Sequence, residues 1–135
     1  MGYHIPTDKE WSRYEWCVEN NIAPTGTTPL NTFQNNTGWR GTNNSTIGPG
    51  AKLKASGSNS PAWDGTNASG FTALPAGTRL LGGGFNLIGS GAYFWSATES
   101  VAADALYRVF FTGNWQSQRN VSKKTYGLSV RCLQN

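Results

Sequence analysis

Residues 105–111 read "ALYRVFF". In an extended strand, successive side chains point to opposite faces. Leu106, Arg108 and Phe110 therefore share one face, and Tyr107, Val109 and Phe111 share the other. A strand with one wet side shows a polar face, and this one has none. The pattern places Leu106 and Phe110 in a core, with Arg108 bonded at its edge. Either Tyr107, Val109 and Phe111 form an exposed apolar patch on the far side, or the strand is sandwiched and both faces are buried. Exposed clusters of this kind mark recognition, and large, rigid aromatic side chains are common binding anchors.

The segments around this strand read as an antiparallel meander. "TGNW" at 112–115 is a turn signal, and 126–133 is expected as the other strong strand. "FTALPAGTRL" (71–80) and "YFWSATES" (93–100) read as short strands broken by Gly and Pro turns. The chain opens differently. In "IPTDKEW" (5–11), Thr7 can cap exposed backbone N–H groups and Glu10 stands three residues on, which is a capping box. Trp11, Tyr14, Cys17 and Val18 then form one apolar stripe at helical spacing, fading at "ENN". Residues 24–50 are rich in Thr, Asn, Gly and Pro and read as loop, with a helical turn near Leu30–Phe33. "AKLKA" (51–55) reads as a short strand or a turn. In the long loop 56–70, Trp63 is expected to plug a core edge. A helix followed by an antiparallel meander is an α+β layout.

Composition agrees with a single loop-rich domain spanning 1–135. Charged residues are 13% of the chain, and six Trp, five Tyr and six Phe are spread through Gly-, Asn-, Ser- and Thr-rich sequence. Disordered chains are poor in aromatics. The net charge is +4. Arg108, Arg119, Lys123, Lys124 and Arg131 are too sparse for a nucleic-acid patch. No apolar run approaches the ~20 residues of a membrane span, and "MGYHIPTDKEW" carries no apolar signal-peptide segment. The expected source is the C-terminal part of a longer exported protein.

Catalytic and metal-binding patterns are sparse. His4 is the only histidine, and four of the seven acids (Asp8, Glu10, Glu15, Glu19) belong to the helix and its cap. That leaves Asp64, Glu99 and Asp104, with no pair spaced for glycoside hydrolysis and no six-to-eight-oxygen calcium set. Nucleophile-elbow, zinc-protease, phosphate-loop and EF-hand motifs are absent. No metal and no cofactor is expected. Cys17 and Cys132 are far apart in sequence, which excludes a CxxC motif. They are either two free thiols or one bridge, which would close a long loop worth roughly 4–5 kcal/mol at most.

"GYHIPTDKEW", "WRGTN", "KLKA", "GFTALPAGTRL", "YFWSATES" and "YGLSVRCLQN" occur in this order. Together they resemble the Fibrobacter succinogenes major paralogous domain, a family often seen in surface proteins of gut Bacteroidetes. The resemblance covers nearly the whole chain except 20–50. It implies a C-type-lectin-like fold of the formylglycine-generating-enzyme branch: an N-terminal helix packed on a small antiparallel sheet with long loops. It also implies a disulfide between Cys17 and Cys132, because the first helix and last strand of that fold lie side by side.

The resemblance further implies a non-catalytic, adhesin-like ligand-binding domain. Some relatives are variable proteins of diversity-generating retroelements, with a pattern such as A-W-N-L-N-F-N-N-G-N whose Asn positions vary. Set beside "ALYRVFFTGN", those positions fall on Tyr107, Val109, Phe111 and Thr112. The expected ligand face is Tyr107, Val109, Phe111, Thr112, Trp115, Ser117 and Arg119, with Tyr93 beside it and Trp95 in the core. The expected partner is a protein or glycan on a cell or phage-host surface, with no nucleic acid and no direct membrane insertion. The expected location is extracellular or at the cell surface. A phage receptor-binding tip (with a virion location) and a fimbrial subunit are the alternatives. An enzyme of the formylglycine-generating type would need two cysteines close together.

Overall fold

The computed structural model describes residues 2–23, 33 and 35–135. The architecture is α+β. A first helix, α1 (Asp8–Asn20), lies against a four-stranded antiparallel sheet. The sheet is built from β2 (Gly38–Arg40), β5 (Gly91–Val101), β6 (Asp104–Phe111) and β7 (Ser117–Lys123), in the order β2-β7-β6-β5. A short β1 (Tyr3–His4) pairs with β8 (Leu133–Gln134), bringing the two ends of the described chain together. A small hairpin, β3 (Thr78–Arg79) with β4 (Phe85–Asn86), and a five-residue helix, α2 (Pro49–Leu53), complete it. No helix among the described residues is long and apolar enough to cross a membrane.

The capping box forms as the sequence dictates. Thr7 Oγ1 accepts from the Glu10 backbone N–H, and Glu10 Oε2 accepts from the Thr7 N–H at 2.8 Å. Asn21 ends the helix in the left-handed conformation at φ 55°, which asparagine tolerates better than most residues. Trp11 from α1 enters a core with Leu53, Ala55, Trp63, Ala73, Ala92, Phe94 and Phe110. Trp63 plugs the edge of that core as its isolated position in a polar loop predicts.

Asp8, Ser12 and Glu15 stand at i, i+4 and i+7 and share one face of α1. All three are buried, which capping and solvation alone would not require. They meet three arginines from three neighbouring strands. Arg108 of β6, itself fully buried, sends Nη1 to Asp8 Oδ1 at 2.7 Å and Nε to Glu15 Oε1 at 2.9 Å. Its Nη2 donates to the Asp8 carbonyl at 2.9 Å and to Ser12 Oγ at 3.0 Å. Arg40 of β2 pairs with Glu15 and donates to Ser12 Oγ and to the Phe33 carbonyl. Arg119 of β7 donates Nε and Nη2 to the Asp8 carboxylate. Burial pulls Arg108 down to about 10, against the pull of Asp8, so it stays charged at neutral pH.

Several expectations are corrected by this arrangement. "AKLKA" is not one short strand or turn: residues 51–53 end a helix, Pro49–Leu53, with Pro at its start, and Lys54 makes an isolated bridge to Ala73. Both lysines are buried because they serve neighbouring carbonyls. Lys52 Nζ donates to the Val18 and Glu19 carbonyls and to Asn21 Oδ1, closing the α1 C-terminus, which has no basic residue of its own. Residues 126–133 do not form a continuous strand. Instead Ser129 bridges to β5 beside Phe94 and closes its outer edge. The third member of the meander is β7, Ser117–Lys123. The turn expected near Leu30–Phe33 lies outside the described residues except for Phe33.

The disulfide is also corrected, because Cys17 and Cys132 are both free. Cys17 is buried on α1, at a cavity lined also by Val18 and Lys52. Cys132 is exposed and reaches the helix beside Glu10, Trp11 and Tyr14, one to two turns earlier. The two cysteines line different cavities beside α1.

Two outcomes follow for stability. Phe110→Ala removes a fully buried ring from the core and is expected to cost about 3–5 kcal/mol in urea unfolding. Burial alone would raise the Asp8 carboxyl, but bonds from Arg119 and the Arg108 charge outweigh it and hold it below its ordinary 3.8. A carboxyl depressed in the folded state stabilises above its unfolded pKa, and the contribution is lost as pH falls through the folded value. Unfolding free energy should therefore drop from about pH 4 downward, and Asp8→Asn should flatten that drop.

Candidate ligand-binding face

The sheet has a second face, turned away from α1. Side-chain parity and cross-strand register decide what lies on it. Tyr93 pairs with Val109, Trp95 with Tyr107, and Gly91 with Phe111. On the other side of β6, Val109 pairs with Gln118 and Tyr107 with Asn120, while Trp39 of β2 pairs with Gln118. The face therefore carries Trp39, Gln118, Asn120, Tyr107, Val109, Phe111, Tyr93 and Trp95.

Five of these side chains form one continuous row of rings. Trp39 meets Phe111 edge-on with centroids 6.0 Å apart, and Phe111 meets Tyr93 edge-on at 5.7 Å. Tyr93 stacks on Tyr107 at 6.0 Å with 29° between the planes, and Tyr107 meets Trp95 edge-on at 6.1 Å. These separations suit aromatic pairs, each worth about 0.5–1.5 kcal/mol beyond area burial. Gly91 makes the packing possible, since a Cβ there would lie 2.8 Å from Tyr93 Cε2 and 3.2 Å from Phe111 Cε1. Val109 is fully buried beneath the row and Tyr93 is 8% exposed. Tyr107, Phe111 and Trp95 are half-buried, and Trp39 is 40% exposed. The patch is thus more enclosed than the sequence pattern predicts, because the rings cover one another.

Burial, then the neighbouring Tyr107, pushes the Tyr93 hydroxyl up to about 12, and burial raises Tyr107 as well. Both stay neutral near pH 7. The row can offer apolar ring surface with phenolic hydroxyls, next to the amides of Gln118 and Asn120.

The other expected site residues are placed elsewhere. Ser117 and Arg119 point to the opposite face, where Ser117 is fully buried and Arg119 holds Asp8. Val109 pairs with Gln118, an odd position with an even one, so odd numbering does not carry one face through the turn. Trp115 does not extend the row. Lys54 Nζ lies 4.4 Å from its ring centroid and 5.2 Å from that of Trp63, and forms an ion pair with Asp64 at 2.8 Å. The same Nζ donates to the Phe111 and Asn114 carbonyls. Thr112 is exposed at the turn, and its Oγ1 accepts from Trp63 Nε1 at 2.8 Å. Trp115 and Thr112 therefore help fix the β6–β7 turn.

Trp95 is corrected from core to face, and Trp39, Gln118 and Asn120 are additions. The Tyr-Phe-Trp order in 93–95 carried the signal for Trp95, since Phe94 alone faces the core. Nothing local marks Trp39, whose place depends on pairing with a distant strand. Among the described residues, no three His, Cys, Asp or Glu side chains stand where they could hold a metal ion.

The family model for the Fibrobacter succinogenes major domain matches residues 1–134. The chain belongs to this family. No curated protein and no solved structure matches it. The family match takes in α1, the sheet and the ring row together, so the candidate face lies within the family domain.

Gly91→Ala should drive the Tyr93 and Phe111 rings apart and destabilise the domain by about 1–3 kcal/mol. Thermal unfolding checks this, and an unchanged midpoint would show that the rings are not packed as described.

Proposed function

We propose that this domain is a non-catalytic ligand-binding module of C-type-lectin-like fold, displayed outside the cell. The observation that carries the reading is the ring row. Five aromatic side chains on four-stranded sheet positions present one surface, and a locked scaffold stands behind them. Such side chains supply contact area with few rotors to freeze. The fold assignment is supported by the helix packed on an antiparallel sheet, the long loops and the paired terminal strands. The family relationship supports an adhesin-like role. The reading gives no chemical step to the two cysteines.

The ligand is a protein or glycan on a cell surface, met through Trp39, Trp95, Tyr107 and Phe111, with Gln118 and Asn120 donating and accepting hydrogen bonds. If the gene is diversified, Tyr107 and Phe111 are the half-buried positions through which variation changes the ligand. Val109, buried beneath the rings, changes their support. Fluorescently labelled domain is expected to stain intact bacterial or epithelial cells in flow cytometry. Trp39→Ala and Tyr107→Ala should each weaken staining about thirtyfold, the size of a binding hot spot of about 2 kcal/mol, with the domain still folded by circular dichroism. Staining unchanged in the double variant would rule out this face, and no staining of any cell type would count against a surface ligand.

A further inference from the structure

A separate cavity of about 190 Å³ opens at the surface where α1, the loop at Phe71 and the β8 end of the chain meet. Its walls are the rings of Trp11, Tyr14 and Phe71, with Pro6 and Leu133 alongside. The same rings pack on one another, Trp11 to Phe71 at 5.6 Å and Tyr14 to Phe71 at 5.8 Å, so the walls are preformed. A cavity of about 150 Å³ is enough to take a benzene ring.

Two charged side chains stand at this cavity, and their free valences differ. Glu10 is already engaged: Oε1 meets His4 Nε2 at 3.0 Å, and Oε2 accepts from the Thr7 N–H and hydroxyl at 2.8 and 2.9 Å. Arg131 lies over the Phe71 ring at 4.8 Å and donates Nη2 to the Phe71 carbonyl at 2.8 Å. It has no carboxylate partner among the described residues. A guanidinium carries five N–H donors in a fork that matches a carboxylate. The unfilled donors therefore belong to the cation alone.

We propose that this cavity binds a small aryl carboxylate, or the aromatic end of an acidic ligand, with the ring against the wall formed by Trp11, Tyr14 and Phe71 and the anion on Arg131. The site is distinct from the ring row and does not depend on it. Exposed Cys132 lines the same cavity, while Cys17 is buried, so alkylation of Cys132 reports occupancy.

The probes are benzoate and its neutral isostere benzamide, added to the 135-residue chain during iodoacetamide labelling. Peptide mass spectrometry reads the Cys132 rate. Benzoate is expected to slow labelling saturably, with a midpoint in the low-millimolar range, about what ligand efficiency allows so small a molecule. Arg131→Met should weaken benzoate about fivefold, as for an exposed ion pair, and leave benzamide unchanged. Leu133→Trp should fill the cavity and abolish protection by both. Absence of protection by benzoate would overturn the proposal. So would equal protection by benzamide, or protection that survives both substitutions.

Discussion

The contact between the acidic stripe of α1 and the arginines of the sheet sets the geometry of everything else. Two carboxylates, Asp8 and Glu15, take hydrogen bonds from Arg40, Arg108 and Arg119, and Ser12 fills the space between them. Arg108 and Arg119 stand directly opposite each other across β6 and β7. Like charges in that position repel, and Asp8 offsets the repulsion by accepting from both. Desolvating so many charges is costly, so the network is a poor source of net stability compared with an apolar core. Its value is positional. Sliding α1 along the sheet would strand buried charges, and breaking one buried pair costs about 3–5 kcal/mol.

That lock constrains the opposite face of the same strands. Because Arg108 and Arg119 must point to the helix, Tyr107 and Asn120 must point away from it. The ring row is thus the reverse side of the charge network. The two lysines of α2 extend the same logic to the ends of the elements. Lys52 holds the C-terminal carbonyls of α1, and Lys54 holds those of the β6–β7 turn between Trp63 and Trp115. A ligand arriving at the ring row meets a surface whose backbone is already tied down on both sides, which lowers the ordering cost of binding.

Much of this was legible in single segments. The capping box and apolar stripe of α1 needed only local spacing, as did the sharing of one face by Leu106, Arg108 and Phe110. The charges were harder. Asp8 and Glu10 look alike as first-turn acids, yet Asp8 is buried against arginines more than 90 residues away in sequence and Glu10 closes a local box. The cysteines show the same limit, because a fold-level expectation of neighbouring helix and strand does not by itself pair two thiols, and both are free.

The sequence by itself determined the helix with its cap, the two-faced strand at its centre and the family to which the chain belongs. The first two rest on patterns within a few residues, and the family on short segments in a fixed order along nearly the whole chain. Only the tertiary structure decided which residues share the candidate face. Strand pairing sets parity across a turn, so the exchange of Ser117 and Arg119 for Gln118 and Asn120 is a one-residue matter of register. Trp39 joined the row because β2 pairs with β7 from the far side of a long loop. Those are non-local hydrogen-bond choices, and no local spacing encodes them.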